Sequence, residues 1–285
     1  MRSGLEFPDN LQDLLSTEID WPTDLNLYPI YLHSWLGQGR GIGRGSKYLP
    51  WLTVRDVPSM GNSSHIWGVR TGRKHHLLSK PESIYFRLLE RRKSVVAIQE
   101  CWPILDIAST YKLCERFGTR HPQRRGFPDP VTIDFLIKVV DPDGKLSVRA
   151  RAIKTSADSK REDVLQALSV QHAWCESVGL PWELVDATSF SDSMLESLKF
   201  IRLWFQHGKR KPEEADAKQF AHAFLHRYAR NVVLDELIAN VMRPMRMTRD
   251  QAIQHFRYTA WTGAVPVDVQ FPIAMNSPLV LTREV

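Results

Sequence analysis

Asp134 and Lys154 are residues whose types and positions could carry chemistry. A carboxylate binds a hard divalent cation, and an amine beside it can orient a water or offset charge building on a phosphate. Both fall within VTIDFLIKVV, DPDGK and LSVRARAIK, the run from Val131 to Lys154. Val131, Ile133, Phe135, Ile137 and Val139 alternate with Thr132, Asp134, Leu136 and Lys138, the period of a strand with two unlike faces. Asp141, Pro142, Asp143 and Gly144 supply the turn: Pro presets φ, Asp bonds its own backbone, and Gly accepts positive φ. Val148, Ala150, Ala152 and Lys154 share a face of the return strand, which sets Asp134 roughly opposite Ala152 with Lys154 one diagonal away. Such a pair suits metal-dependent attack on a phosphodiester, and it equally suits a surface ion pair on an edge hairpin. A second carboxylate is needed to choose.

Glu82 is a candidate for it. Ser79-Lys80-Pro81-Glu82 precedes SIYFRLLERRK, and Ser at N-cap with Glu at N3 makes a capping box for a helix whose buried stripe is Ile84, Tyr85, Leu88 and Leu89. Capping alone would account for this glutamate. Glu100 is a further candidate ligand, from VVAIQECWPILD, Val95 to Asp106, a buried strand ended by Pro103. His65 to Leu78 reads as another hairpin turning at Thr71-Gly72. Beyond Lys154, a helix is expected from about Lys160 to Val178, closed by Gly179 and Pro181, then a short strand from Trp182 to Ala187. This order predicts an α/β fold, a mixed sheet flanked by helices that carries the catalytic candidates.

The flanking regions read differently. Residues 1–36 hold scattered aromatics, Trp21, Tyr28, Tyr31 and Trp35, in an irregular extension that packs on something. Gly37 to Ser59 is rich in glycine but lacks a Gly-Lys-Ser/Thr ending and a strand-to-helix setting, so no nucleotide cofactor is expected. Arg40, Arg44 and Lys47 are instead expected along a DNA backbone, with Arg124 and Arg125 from the loop-like segment that runs to Pro130. A catalytic domain over 37–207 then gives way, near Gly208 to Pro212, to a domain over 208–285. Helices are expected there at Glu213 to Tyr228, Val232 to Met242 and Arg249 to Thr262, followed by strands at Val265 to Ile273 and Leu279 to Leu281. Three helices and a hairpin describe a winged helix, with Arg249 and Arg257 facing DNA from its third helix.

Composition sets the outer limits. Across 285 residues the net charge of +6 favours a polyanionic partner, and 43% hydrophobic with 25% charged residues is ordinary for a globular protein. No apolar run reaches the length of about 18 residues that spans a bilayer, and the N-terminus has no signal-peptide core, so no membrane association and a cytoplasmic location are expected. Cys101, Cys114 and Cys175 show no paired spacing and read as reduced core thiols, with no structural zinc. His75 and His76 are neighbours in a strand and point to opposite faces, so with His121 they serve packing or DNA contact, not a shared metal.

Taken together, the segments resemble the TnsA family, the endonuclease subunit of heteromeric cut-and-paste transposases, with a core like that of the restriction-endonuclease-like nucleases. The matching stretches are Gly39-Arg40-Gly41, Lys47-Tyr48-Leu49-Pro50-Trp51-Leu52-Thr53-Val54, Val57-Pro58-Ser59, Thr71-Gly72-Arg73 and His75-His76-Leu77-Leu78-Ser79. They continue through Pro103, Thr132-Ile133-Asp134-Phe135-Leu136, Ile153-Lys154 and Pro181-Trp182, covering roughly residues 37–190. The resemblance implies that Glu82, Asp134 and Lys154 are catalytic, with Glu82, Asp134 and the Ile153 carbonyl holding one or two Mg²⁺, for which Mn²⁺ can substitute. It implies cleavage of the 5′ strands of transposon ends in double-stranded DNA, a DDE transposase partner, TnsB, an AAA+ ATPase partner, TnsC, and a bacterial, nucleoid-associated setting. Two positions depart from the family pattern: Ala152 stands where a ligand-capable residue is common, and Gln171 aligns with a further family glutamate. Two other readings stand beside it, a free-standing restriction or repair nuclease and a catalytically idle adaptor bridging transposase, ATPase and DNA.

Overall fold

Residues 21–43, 45–57, 63–205 and 211–282 are described by a computed structural model of the chain. Their elements run α1 (Ile30–Leu36), β1 (Ser64–Trp67), β2 (Lys74–Leu77), α2 (Lys80–Arg91), β3 (Val95–Ile104), α3 (Ile107–Arg116), β4 (Gln123–Arg124), β5 (Phe127–Pro128), β6 (Val131–Val140) and β7 (Leu146–Lys154). They finish with α4 (Glu162–Ser177), β8 (Trp182–Asp186), α5 (Asp192–Arg202), α6 (Glu214–His226), α7 (Leu234–Met242) and α8 (Arg249–Thr262). The chain divides into two compact units, Met1–Ser83 with Ser94–Ser189, and Ile84–Lys93 with Phe190–Val285. The break expected near 208 lies outside the described residues, as does Arg44.

The first unit is built on a mixed sheet in the order β3-β6-β7-β8. β6 and β7 form the hairpin read from the sequence: the Gly144 N–H donates to the Asp141 carbonyl at 2.8 Å, and Gly144 sits at φ 83° where an L side chain would be strained. β8 runs parallel to β7, which requires a crossover, and α4 supplies it. β3 continues through Pro103 to Ile104 instead of ending at the proline. It is an edge strand, where a missing N–H breaks no ladder bond.

Aromatic residues that showed no period turn out to be core. Trp21, Trp51, Trp102 and Trp174 are buried together, Trp21 stacking on Trp102 at 5.3 Å between ring centroids and donating its indole N–H to the Pro103 carbonyl at 2.7 Å. The described part of the N-terminal extension, residues 21–36, therefore packs on this core, and it contains α1, seven residues with no capping side chain and so no cap signature to read. α3, in the segment read as a loop, does have a cap, with the Asp106 carboxylate accepting from Ser109 N at 3.1 Å. The turn residues downstream of it, Gly118, Pro122 and Gly126, outweighed that signal.

In the second unit α5, α6 and α7 all pack on α8. α6, α7 and α8 stand where the sequence placed them, α8 closed by the Thr248/Gln251 capping box and by Gly263 at φ 81°. α5, capped by Ser191 accepting from Met194 N at 3.1 Å, was missed. The expected strands do not form among the described residues; an isolated bridge between Val267 and Leu281 is what joins those segments. Pro266, Pro272 and Pro278 explain the difference, since each removes a ladder donor. α8 buries Ala252, Gln254, Phe256, Tyr258, Thr259, Ala260 and Trp261 along its length and leaves Arg249, Asp250 and Gln251 exposed at its start.

Trp102 is fully buried at the centre of the first core. Trp102→Ala is expected to lower the unfolding free energy by about 3–5 kcal/mol, read by urea denaturation.

Candidate active site

The β6–β7 register pairs Phe135 with Arg151 and Leu136 with Ala150, so Asp134 lies opposite Ala152, whose methyl leaves the aspartate uncovered. Asp134 Oδ2 accepts the Ile153 N–H at 2.7 Å and Lys154 Nζ at 3.0 Å, and the same ammonium donates to the Ile153 carbonyl at 3.0 Å. Both side chains are only partly exposed, at 20% and 30%. The carboxylate is thereby fixed by backbone and side chain together, with Oδ1 left for other partners.

Glu82 enters from the first turn of α2. Its N–H donates to Ser79 Oγ at 3.3 Å, Ser79 O–H returns to Glu82 Oε1 at 2.8 Å, and Leu78 N donates to Oε2 at 2.9 Å. The capping reading and the catalytic reading thus describe one conformation. Burial, and then the negative charge of Asp134, push the Glu82 carboxyl up to about 7, against the opposing pull of the Leu78 and Ser79 bonds and of Lys154. Glu82, Asp134 and Lys154 are therefore within electrostatic reach of one another: two carboxylates share one ammonium, a site short of positive charge. Hard oxygens in that deficit fit a divalent cation. No group of three His, Cys, Asp or Glu suited to a metal occurs among the described residues, so the remaining donors would be the Ile153 carbonyl and water.

Glu100 is not among them. Its partner across β3–β6 is Phe135, whose side chain lies on the opposite face from Asp134, and all its acceptors are taken there. Arg73 Nη1 and Nη2 donate to it at 2.9 and 2.6 Å, His75 Nδ1 at 2.7 Å and the His76 N–H at 2.9 Å. Burial alone would raise its pKa, but His75 and Arg73 override that and hold it well below the usual carboxylate range. The tentative ligand is instead a clamp between β2 and β3. It also separates His75, which faces Glu100, from His76, which meets His65 across the hairpin at 4.6 Å between rings. His121 bonds Thr110 elsewhere.

Cys101 is the site residue that sequence reasoning missed. It lies between the pairs Glu100–Phe135 and Trp102–Ile133, hence opposite Asp134, at a strained φ of 45°. Burial holds its thiol protonated, beside the charges of Glu82 and Asp134. Only the β3–β6 register could have revealed it. Gln171, in α4, donates Nε2 to the Thr132 carbonyl at 2.9 Å and so tethers β6 two residues before Asp134.

The arginines expected at DNA are mostly held by protein groups. Arg40 donates to Asp56 at 2.7 Å and lies over Trp35, and Arg124 donates to Asp129 at 2.6 Å and lies over the same indole at 3.2 Å. In the second unit Arg249 pairs with Asp235 at 2.7 Å, and Arg257 lies over Phe200 at 4.7 Å. Lys47 and Arg125 are exposed.

A mixed sheet flanked by helices, presenting a glutamate, an aspartate and a lysine together, is the architecture of a restriction-endonuclease-like nuclease domain. Residues 92–187 match the TnsA-like endonuclease N-terminal domain, a span that holds Asp134, Lys154 and Gln171 while Glu82 lies ahead of it. The Transposon Tn7 transposition protein TnsA of Escherichia coli is 31% identical over 213 residues, 75% of each chain. The chain belongs to the TnsA family of transposase endonuclease subunits.

Two outcomes follow. Because the folded pKa of Glu82 lies above its ordinary value of 4.5, its contribution to stability is full below that value and is lost as pH rises toward about 7. With a chelator present, wild type should therefore lose about 3 kcal/mol relative to Glu82→Gln between pH 4.5 and 7.5, measured by denaturant unfolding at each pH. Glu100→Gln, which leaves the buried Arg73 without its counter-charge, should cost about 3–5 kcal/mol in the same assay.

Proposed function

We propose that this chain is the Mg²⁺-dependent endonuclease of a heteromeric transposase, cutting the 5′, non-transferred strands at transposon ends. What carries the reading is the meeting of Glu82 with the Asp134–Lys154 pair, where burial and a second carboxylate leave a charge deficit. Glu82, Asp134 and the Ile153 carbonyl would hold the ion. When bound, the ion lowers the pKa of a coordinated water and stabilises the oxygen that leaves. Lys154, tied to Asp134 Oδ2 and the Ile153 carbonyl, orients the attacking water and offsets charge on the phosphate. Ser79 and the Leu78 N–H keep both Glu82 oxygens aimed, and Gln171 steadies the strand that carries Asp134.

The partners in this reading are double-stranded transposon ends, a TnsB-type DDE transposase that cuts and joins the 3′ strands, and a TnsC-type AAA+ ATPase that couples cutting to target choice. The setting is the bacterial cytoplasm, at the nucleoid. Family membership and a net charge of +6 support these assignments.

Ala152 favours one competing reading, an idle adaptor, because a methyl replaces a possible ligand. Strand-resolved cleavage of a mini-transposon with both partner proteins separates the two. Wild type should nick the 5′ strands only with magnesium and partners present, while Asp134→Ala and Lys154→Ala each lose about 10²-fold or more. Undiminished 5′ cutting by both variants rules out this catalytic assignment, and cutting by the purified chain alone favours a free-standing nuclease.

A further inference from the structure

The β4–β5 hairpin turns at Arg125 and Gly126, both at positive φ (52° and 82°), as a two-residue type I′ turn requires. Gly meets that demand at no cost, whereas Arg does so under strain. The turn holds the exposed Arg125 at its tip, and Phe127, just beyond, is 52% exposed. Phe127 stacks on Tyr31 of α1 at 5.0 Å with 16° between ring planes, so an aromatic pair stands partly in solvent. Below it a cavity of about 250 Å³ is lined by these rings with Trp35, Arg124, Arg125 and Asp129. Arg124 uses Nη2 on Asp129 and its plane on Trp35, while its Nη1 has no partner among the described residues.

An exposed aromatic face, a free guanidinium at the rim and a further unfilled donor within are the elements that hold an unstacked base with its phosphate. Stacking on a ring is open to any base, and arginine supplies both charge and planar contact. The cavity is too small for a helix or strand of another protein, and two arginines against one aspartate leave it a net positive charge that suits an anionic ligand. Its placement is also apt. Asp129 leads through Pro130 straight into β6, so Asp134 lies at most about 17 Å away, roughly five base pairs of duplex at 3.4 Å each.

We propose that this pocket is a subsite for a single unstacked nucleobase of the DNA, the base resting on Phe127 and its phosphate on Arg125. The assignment rests on the reading of the chain as a DNA-cutting enzyme, and its test needs no cleavage. Full-length protein in chelator is titrated into two duplexes of one sequence, one fully paired and one carrying an unpaired 2-aminopurine, with anisotropy and 2-aminopurine fluorescence recorded.

Wild type should bind the unpaired duplex about 10-fold more tightly and quench its fluorescence, in line with the worth of one stacked base. Phe127→Ala should abolish the preference and the quenching while paired-duplex binding stays, and Arg125→Ala should weaken both duplexes. Equal affinity for the two duplexes, or a preference that survives Phe127→Ala, overturns the subsite but leaves the nuclease reading standing. Failure of the wild type to bind either duplex also overturns the subsite, while the nuclease reading is decided by the cleavage assay with both partners.

Discussion

Two carboxylates near one another, with a single ammonium bonded to one of them, set the terms for the rest of the first unit. Burial disfavours the charged form of Glu82 and the negative charge of Asp134 adds to it, and the rise in the Glu82 pKa is the mark of both. An arrangement of this kind relaxes unless other groups fix it. Here the Leu78 N–H and Ser79 hydroxyl fix one carboxylate, and the Ile153 N–H and Lys154 fix the other. Each set uses local backbone, so the site is as rigid as the helix start and the hairpin that present it.

The buried clamp on Glu100 extends this from the other side of the sheet. Its donors, Arg73, His75 and the His76 N–H, all lie in or next to β2, whose end leads through Leu78 directly into the turn that holds Glu82. Tyr48 reinforces the clamp, its hydroxyl donating to the Glu100 carbonyl at 2.9 Å and its ring lying 4.9 Å from the Arg73 guanidinium. A buried network of this sort, in which every Glu100 carboxylate oxygen is bonded, specifies one register between β2 and β3, and the position of Leu78 follows from that register.

How much was legible follows from the range of each signal. The β6–β7 hairpin and the Ser79–Glu82 cap are written in runs of a few residues, and alternation, turn chemistry and capping order place Asp134, Lys154 and Glu82 almost without tertiary information. The opposing faces of Glu100 and Asp134, and the place of Cys101 beside the carboxylates, depend on how β3 pairs with β6 from a distance, which no local pattern records. α1 was hidden because aromatic residues surround its sequence on all sides. The wing was misread because apolar runs that look like strands are interrupted by prolines. Arg249 lies exposed at the start of α8, paired with Asp235, whereas Arg257 is partly buried over Phe200, a difference that no local pattern records.

The departures at Ala152 and Gln171 bear on one another through Lys154. With no polar side chain opposite Asp134 and an amide in place of a carboxylate on α4, the site carries at most the two negative charges of Glu82 and Asp134, where a glutamate on α4 would add a third. One ammonium then neutralises half of that charge by resting on Asp134 Oδ2 and the Ile153 carbonyl, the oxygens a cation would seek. Any divalent ion proposed for this site must compete with a group already bonded there, and it gains fewer protein ligands for doing so. Under the proposed function an ion would load weakly in the isolated chain, and contacts that draw Lys154 toward a phosphate would relieve the competition. Substrate engagement and cation capture would then favour each other.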